Sequence, residues 1–240
     1  MSEPASTQAD QRPLANMLVQ VAISDSPNLA AFGRTKAELD QAFVEICRML
    51  FVAGATVAYA GDLRKFGYTE QLIDLASAYA RSLAMADTPP IRWYVVPGVN
   101  GGDDPGQEAG NRAGMFVRCH GARNASTLTG TPESKSQALH ALRQTLAEDC
   151  DALIALGGQL RESPPPGVWD EIKLATERQK HAFIITEFGG AAGSFLANHQ
   201  PNEWLHAVDE ASLLGIVRHL RQNLITIAKS RAKSPPSGQR

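Results

Sequence analysis

Short apolar runs alternate with helical patterns along most of the chain. Six runs of five to seven residues are apolar enough for buried strands: 17–23, 55–60, 91–96, 114–120, 152–156 and 182–186. Between and after these runs, apolar residues recur at helical spacing, as in Leu39, Phe43, Ile46 and Leu50. This alternation is typical of βαβ crossovers, and such apolar strands are typical of a sheet covered on both faces. The pattern therefore predicts an α/β, Rossmann-like domain with a mainly parallel sheet and helices on both faces.

The organisation predicted from the pattern is a single domain between two tails. Residues 1–15 and 229–240 are polar and lack apolar periodicity, so we expect two disordered tails, the second of them basic. Residues 16–228 contain no linker and are expected to form one nucleotide-binding domain. The segment Ser134-Lys135-Ser136-Gln137 resembles a capping box and predicts that a helix begins there.

Composition excludes several classes of protein. The 23 Lys and Arg residues nearly balance 25 Asp and Glu, and the net charge of −2 argues against a nucleic-acid partner. The longest apolar stretch, 49–61, is shorter than the roughly 18 residues of a membrane span, and the polar N-terminus lacks a signal region. Three dispersed cysteines favour a reducing compartment, so we expect a cytoplasmic protein without membrane contact.

Familiar cofactor and metal motifs are missing from the sequence. It contains no GxGxxG after a strand, no GxxxxGK[ST], no GxSxG and no HExxH. The six histidines show no metal-ligand spacing. We therefore expect neither a cofactor nor a metal site.

Candidate binding residues lie where four of the predicted strands end. The carboxyl ends of parallel strands meet at one edge of a sheet, and ligands bind there. Glycine lets backbone N–H groups approach an anion, and the helix that follows offers a positive dipole end. Phosphate or pyrophosphate is the expected ligand group. The predicted ligand-binding residues are Ser24 and Asp25, then Gly61, Asp62, Arg64, Gly67 and Thr69, then Gly157 and Gly158, then Gly167 and Glu171 at the start of the following helix, and finally Gly189 and Gly190.

Each of these features also has an ordinary structural explanation. Glycines after strands are common in turns, and Ser24 and Asp25 are also suited to capping a turn. Arg64 is equally typical of a surface charge, and Thr69 of a helix N-cap. The combination of four such strand ends in one sheet is what favours a ligand.

Glu171 is the candidate residue with several possible roles in a ligand site. It lies one turn into a helix opened by Pro166-Gly167, where the helix dipole alone favours a carboxylate. The alternative is that Glu171 points into the cleft and holds a ribose hydroxyl or steadies a developing cation. Arg161, in a proline-rich loop, is either a solvated charge or a group that closes over a ligand.

Three segments together resemble the SLOG superfamily. They are AYAGDLRKFGYTEQL (58–72), ALIALGGQLRESPPPGVWDEIKLA (152–175) and FIITEFGGAAGSF (183–195). The superfamily groups the Lonely Guy cytokinin-activating phosphoribohydrolases, the DNA-processing protein DprA, a TRPM-channel domain and prokaryotic sensor domains. The resemblance is to the prokaryotic families found beside TIR, sirtuin or nucleoside-phosphorylase-like effectors in conflict systems. It implies a Rossmann-like fold, a small nucleotide or nucleotide-derived ligand, a homo-oligomer and an effector protein partner.

The resemblance also exposes departures from the Lonely Guy catalytic motif PGGxGTxxE. That motif maps onto Gly157 and Gly158, then Gly167 and Glu171. Here no proline precedes the glycines, the eight residues 159–166 separate them from Gly167, and Val168 replaces the threonine. The resemblance therefore implies a retained ligand surface with altered catalytic machinery.

Two functions follow as the main hypotheses. The first is a nucleotide-sensing module in a prokaryotic conflict or defence system. The second is a nucleoside-5′-monophosphate phosphoribohydrolase, a Lonely Guy-like N-glycosidase. In that enzyme Glu171 would stabilise the ribosyl cation, and Arg64 or Arg161 would hold the phosphate. A third hypothesis, DNA handling, is disfavoured by the nearly neutral charge.

Overall fold

The computed structural model describes residues 12–60, 67–83, 90–95, 117–121, 132–160 and 167–233. Within these ranges the chain forms seven strands, six α-helices and two short 3₁₀ helices. The strands are β1 (Leu18–Ser24), β2 (Thr56–Tyr59), β3 (Ile91–Val95), β4 (Val117–Gly121), β5 (Ala152–Gly157), β6 (His181–Ile185) and β7 (Leu205–Val208). The helices are α1 (Lys36–Ala53), α2 (Tyr68–Leu83), α3 (Pro132–Asp149), α4 (Gly167–Glu177), α5 (Gly190–Asn198) and α6 (Leu213–Lys233), with 3₁₀ turns at Leu29–Phe32 and Thr186–Phe188.

All the described strands lie parallel in one sheet, in the order β4–β3–β2–β1–β5–β6–β7. The strand order reverses between β1 and β5, which makes their carboxyl ends a topological switch point. The register pairs Ser24 with Gly157, so the two strands end side by side. The predicted α/β, Rossmann-like single domain is confirmed.

Helices cover both faces of the sheet, and the alternation along β1 shows why. Val19, Val21 and Ile23 point into a core shared with α1, α2 and α6. Leu18 and Ala22 point to the other face, where α3, α4 and α5 pack. Both sets are buried, as expected of a central strand in a doubly covered parallel sheet.

Helix α1 begins at a complete capping box. The side chain of Thr35 accepts a hydrogen bond from the Glu38 N–H, and the Glu38 carboxylate accepts one from the Thr35 N–H at 2.8 Å. The capping box predicted at 134–137 is wrong, because α3 already begins at Pro132. Proline is well suited to a first helical position, where its missing N–H is not needed.

The ends of the domain differ in detail from the sequence prediction. Leu14, placed in the N-terminal tail, is fully buried in the core. Helix α6 continues to Lys233, so the segment 229–233 of the predicted C-terminal tail is helical. None of the helices in the described part of the chain has the length and apolarity that a bilayer crossing requires.

Candidate functional site

A cleft of about 250 Å³ opens at the carboxyl ends of β1 and β2, beside the switch point. The end of β1, the end of β2 and the start of α4 form its walls, and one side chain each from α2 and α3 completes it. Its apolar lining consists of Val21, Ala22, Ile23, Tyr59, Ala60, Tyr68 and Val168, and its remaining lining consists of Ser24, Arg143, Gly167 and Glu171. Three predicted site residues, Ser24, Gly167 and Glu171, therefore meet in one cleft.

Glu171 lies in the wall of the cleft with a side chain that is only 13 % exposed. Burial disfavours its charged form, and with a contribution from Asp170 it raises the pKa of Glu171 to about 7. The Arg143 guanidinium, with Nε at 3.9 Å from Glu171 Oε1, and a hydrogen bond with Gln20 act in the opposite direction. Glu171 is therefore poised to exchange a proton near neutral pH.

Arg143 extends from α3 towards α4 and is held there by a second carboxylate. Its Nη1 donates to Asp170 Oδ2 at 3.2 Å, and the same oxygen lies 3.1 Å from His140 Nδ1. Gln144 Nε2 lies 3.1 Å from the other ring nitrogen of His140. This chain of contacts fixes the guanidinium at the edge of the cleft, where its side chain is 20 % exposed.

The two glycine pairs pack against each other beside this cleft. Gly157, Gly158 and Gly190 have φ angles of 64°, 103° and 63°, which favour glycine. A Cβ on Gly190 would lie 2.4 Å from the Gly158 carbonyl oxygen, so a larger residue cannot fit there without a shift. The close contact of β5 with the start of α5 therefore depends on these glycines.

Hydrogen bonds within the protein engage the N–H groups of Gly158, Gly189 and Gly190. Gly158 N–H donates to the Ser24 carbonyl at 2.9 Å, and Gly189 N–H to the Thr186 carbonyl at 2.9 Å. Gly190 N–H donates to Asn28 Oδ1 at 2.8 Å. The glycine pattern at the strand ends predicts that these groups are free for an anion. The structure gives them internal partners instead.

Asp25 follows the cleft residue Ser24 and lies in a small polar cluster. Its Oδ1 accepts a hydrogen bond from the Tyr68 hydroxyl at 3.2 Å and lies 3.3 Å from Lys36 Nζ. The same ammonium group sits 4.6 Å from the centre of the Tyr68 ring. Burial and the nearby carboxylates raise the pKa of Tyr68 above its ordinary value. Asp25 thus positions the side chain of Tyr68 against the cleft.

The other predicted residues are placed as follows. Thr69 is buried and lies inside the first turn of α2, rather than before it as an N-cap would. Gly67 directly precedes that helix. Gly61, Asp62, Arg64 and Arg161 lie outside the described residues, so their roles remain predictions.

Sequence reasoning missed Arg143. It lies next to Leu142 on α3, where a single charge beside an apolar face is typical of any amphipathic helix. Only the packing of α3 against α4 shows that this charge meets Asp170 and Glu171. Among the described residues, no group of three or more His, Cys, Asp and Glu side chains is placed to hold a metal ion.

Comparison with known protein families gives a match over most of the chain. The model of a protein family described as SLOG cluster 2 matches residues 13–98 and 121–211. These two segments contain all the described residues that line the cleft. A search of curated proteins finds no match.

Proposed function

The chain belongs to the SLOG cluster 2 family, and on that basis we propose that it binds a nucleotide or a nucleotide-derived signal in the cleft at the ends of β1 and β2. The resemblance to the wider SLOG superfamily supports this class of ligand. Support also comes from the position of the cleft, because open α/β sheets bind ligands at the carboxyl ends of strands beside a switch point.

The observation that carries the proposal is the meeting of Ser24, Arg143 and Glu171 in that cleft. A hydroxyl and a carboxyl group suit the hydroxyls of a ribose, and a guanidinium suits a phosphate. The cleft volume of about 250 Å³ is close to the lower end of the roughly 300–1,000 Å³ typical of small-molecule sites. A single nucleotide unit is therefore the size of ligand that we propose.

A sensing role is our first choice over catalysis. Val168 stands where the Lonely Guy motif has a threonine, and the amides of Gly158 and Gly190 already have partners within the protein. A module of this kind would pass ligand binding on to an effector protein or to further copies of itself. Both of those partners are part of the proposal.

Isothermal titration against a panel of nucleotides tests the proposal. The panel should include nucleoside monophosphates, NAD, ADP-ribose and cyclic nucleotides. We expect saturable binding by at least one of them. If none binds, the proposed function is wrong.

One observation favours catalysis as a second candidate. Glu171 is buried beside Arg143 with its pKa raised to about 7, which is the tuning expected of a group that stabilises charge or moves a proton in a reaction. A phosphoribohydrolase would release free base from AMP or a similar nucleotide, and Glu171→Gln would abolish the release. Absence of base release, or equal activity of the variant, would eliminate this candidate.

A further inference from the structure

Among the described residues around Arg143, the charges are not balanced when Glu171 is ionised. Arg143 supplies one positive charge, and Asp170 already pairs with it at 3.2 Å. An ionised Glu171, with Oε1 at 3.9 Å from Arg143 Nε, would add a second negative charge to the same guanidinium. An incoming anionic ligand would then meet a net negative cluster, which disfavours its binding.

The other groups that face Glu171 in the described ranges do not remove this excess of negative charge. Strand β1 contributes Gln20, which is uncharged and hydrogen-bonded to Glu171. Helix α4 contributes Asp170, whose contact with His140 of α3 is 3.1 Å long. The Tyr68 hydroxyl, from α2, donates to Asp25. Tyr59, from β2, lines the cleft without bringing a charge at neutral pH.

Protonation of Glu171 removes the excess negative charge beside Arg143. With a neutral Glu171, the Arg143–Asp170 pair is balanced, and the guanidinium can share its positive charge with a further anion. In the described part of the chain, the hydrogen bond of the Arg143 guanidinium to Asp170 uses Nη1, and Nη2 has no hydrogen-bond partner. Burial has already raised the pKa of Glu171 to about 7, so the protonated state costs little near neutral pH.

We propose that the anionic group of the ligand binds beside Arg143 and that Glu171 takes up a proton from solvent as it binds. This inference rests on the proposed function and adds its regulation: the site binds its anionic ligand more tightly as the pH falls. One O–H bond forms on the Glu171 carboxyl group, and the bond to the same proton breaks in the hydronium ion or buffer acid that supplies it.

The opposite arrangement of ligand would reverse the dependence on pH. If the ionised Glu171 carboxylate accepted a hydrogen bond from a sugar hydroxyl while the anion lay elsewhere, ligand binding would favour the ionised form. Binding would then release a proton and strengthen as the pH rose. The sign of the proton exchange therefore separates the two arrangements.

Inorganic sulfate is a suitable probe, because it keeps its charge between pH 6 and 8. Its Kd should be measured by isothermal titration at constant ionic strength, in two buffers with different heats of ionisation. For the wild type we expect proton uptake and a Kd about tenfold larger at pH 8 than at pH 6, as follows for a group with a pKa of about 7. Glu171→Gln should bind at both pH values as tightly as the wild type does at pH 6. Arg143→Gln should bind weakly at both.

Glu177→Gln is the matched control, since Glu177 is on the same helix with a side chain that is 53 % exposed. It should titrate like the wild type.

Sulfate binding without proton uptake, or loss of binding in a folded Glu171→Gln variant, would overturn the inference. Binding of a nucleotide but not of sulfate would also overturn it while leaving the proposed function intact. Failure of the whole nucleotide panel would instead remove the proposed function. The buffer comparison needs only the wild type, so it decides the matter even if a variant fails to fold.

Discussion

A Cβ atom on Gly190 would lie 2.4 Å from the carbonyl oxygen of Gly158. The two glycines therefore bring the start of α5 against the end of β5 at a separation that no other residue permits. A hydrogen bond of 3.0 Å from Ala191 N–H to the Gly158 carbonyl closes the same contact. The two glycine pairs of the sequence thus form a close packing contact between β5 and α5, next to the cleft.

Gly190→Ala should destabilise the fold strongly. The substitution combines a positive φ of 63° with a collision against backbone atoms that cannot move aside easily. We expect the free energy of unfolding, measured by urea denaturation, to fall by about 2–5 kcal/mol.

Gly33→Ala is the matched control for that experiment. Gly33 has a similar φ of 65°, but a Cβ there has no atom within 4 Å. The loss in free energy of unfolding should come from the strained backbone conformation alone and be roughly 1–2 kcal/mol. Equal losses in the two variants would show that the packing of Gly190 against Gly158 contributes nothing.

Asn28 links the loop after β1 to Gly190 at the start of α5. Its Oδ1 accepts hydrogen bonds from Gly190 N–H at 2.8 Å and from the Ser26 hydroxyl at 2.9 Å. Asn28→Ala would leave the buried Gly190 N–H without a partner, so we expect a loss of about 1–3 kcal/mol in the free energy of unfolding. Asn28→Asp keeps an acceptor in place and should lose less. An alanine variant as stable as the wild type would contradict this role.

Glu171 should make stability depend on pH in a direction that can be calculated. Its folded pKa of about 7 lies above the ordinary value of 4.5, so the folded state holds this proton more tightly than the unfolded state does. The stability that the proton on Glu171 adds to the folded state is fully present below pH 4.5 and is lost as the pH rises through 7. Relative to Glu171→Gln, the wild type should therefore lose on the order of 3 kcal/mol between pH 4.5 and pH 8. Urea denaturation of both proteins across this range measures the difference, and a constant difference would refute the raised pKa.

The sequence predicted most of the sheet because its strands are buried on both faces. Runs such as 152–156 are continuously apolar, and the observed strand β5 begins at the predicted residue. Strand β7 was missed, since its four residues include a half-buried His206 and an exposed Ala207 at the edge of the sheet. An edge strand of that length leaves no pattern distinct from a loop.

The cleft was predictable only in part. The position of Ser24 and Glu171 at strand and helix ends placed them in the site, because topology alone brings those ends together. Arg143 could not be found in this way, since its role depends on the packing of α3 against α4. The hydrogen bond from Gly190 to Asn28 was equally invisible, because it joins residues far apart in the chain.

A variant that fills the cleft tests most directly whether the cleft is the nucleotide site. Ser24→Trp would place a large ring in the cleft while keeping the backbone carbonyl that accepts from Gly158 N–H. Leu214→Trp, at a position that is 71 % exposed, controls for the added ring. Both proteins and the wild type should be titrated calorimetrically with the nucleotide panel, after circular dichroism has shown that they are folded. We predict that the wild type and Leu214→Trp bind the same nucleotide and that Ser24→Trp does not. Binding of equal strength by a folded Ser24→Trp protein would contradict the account.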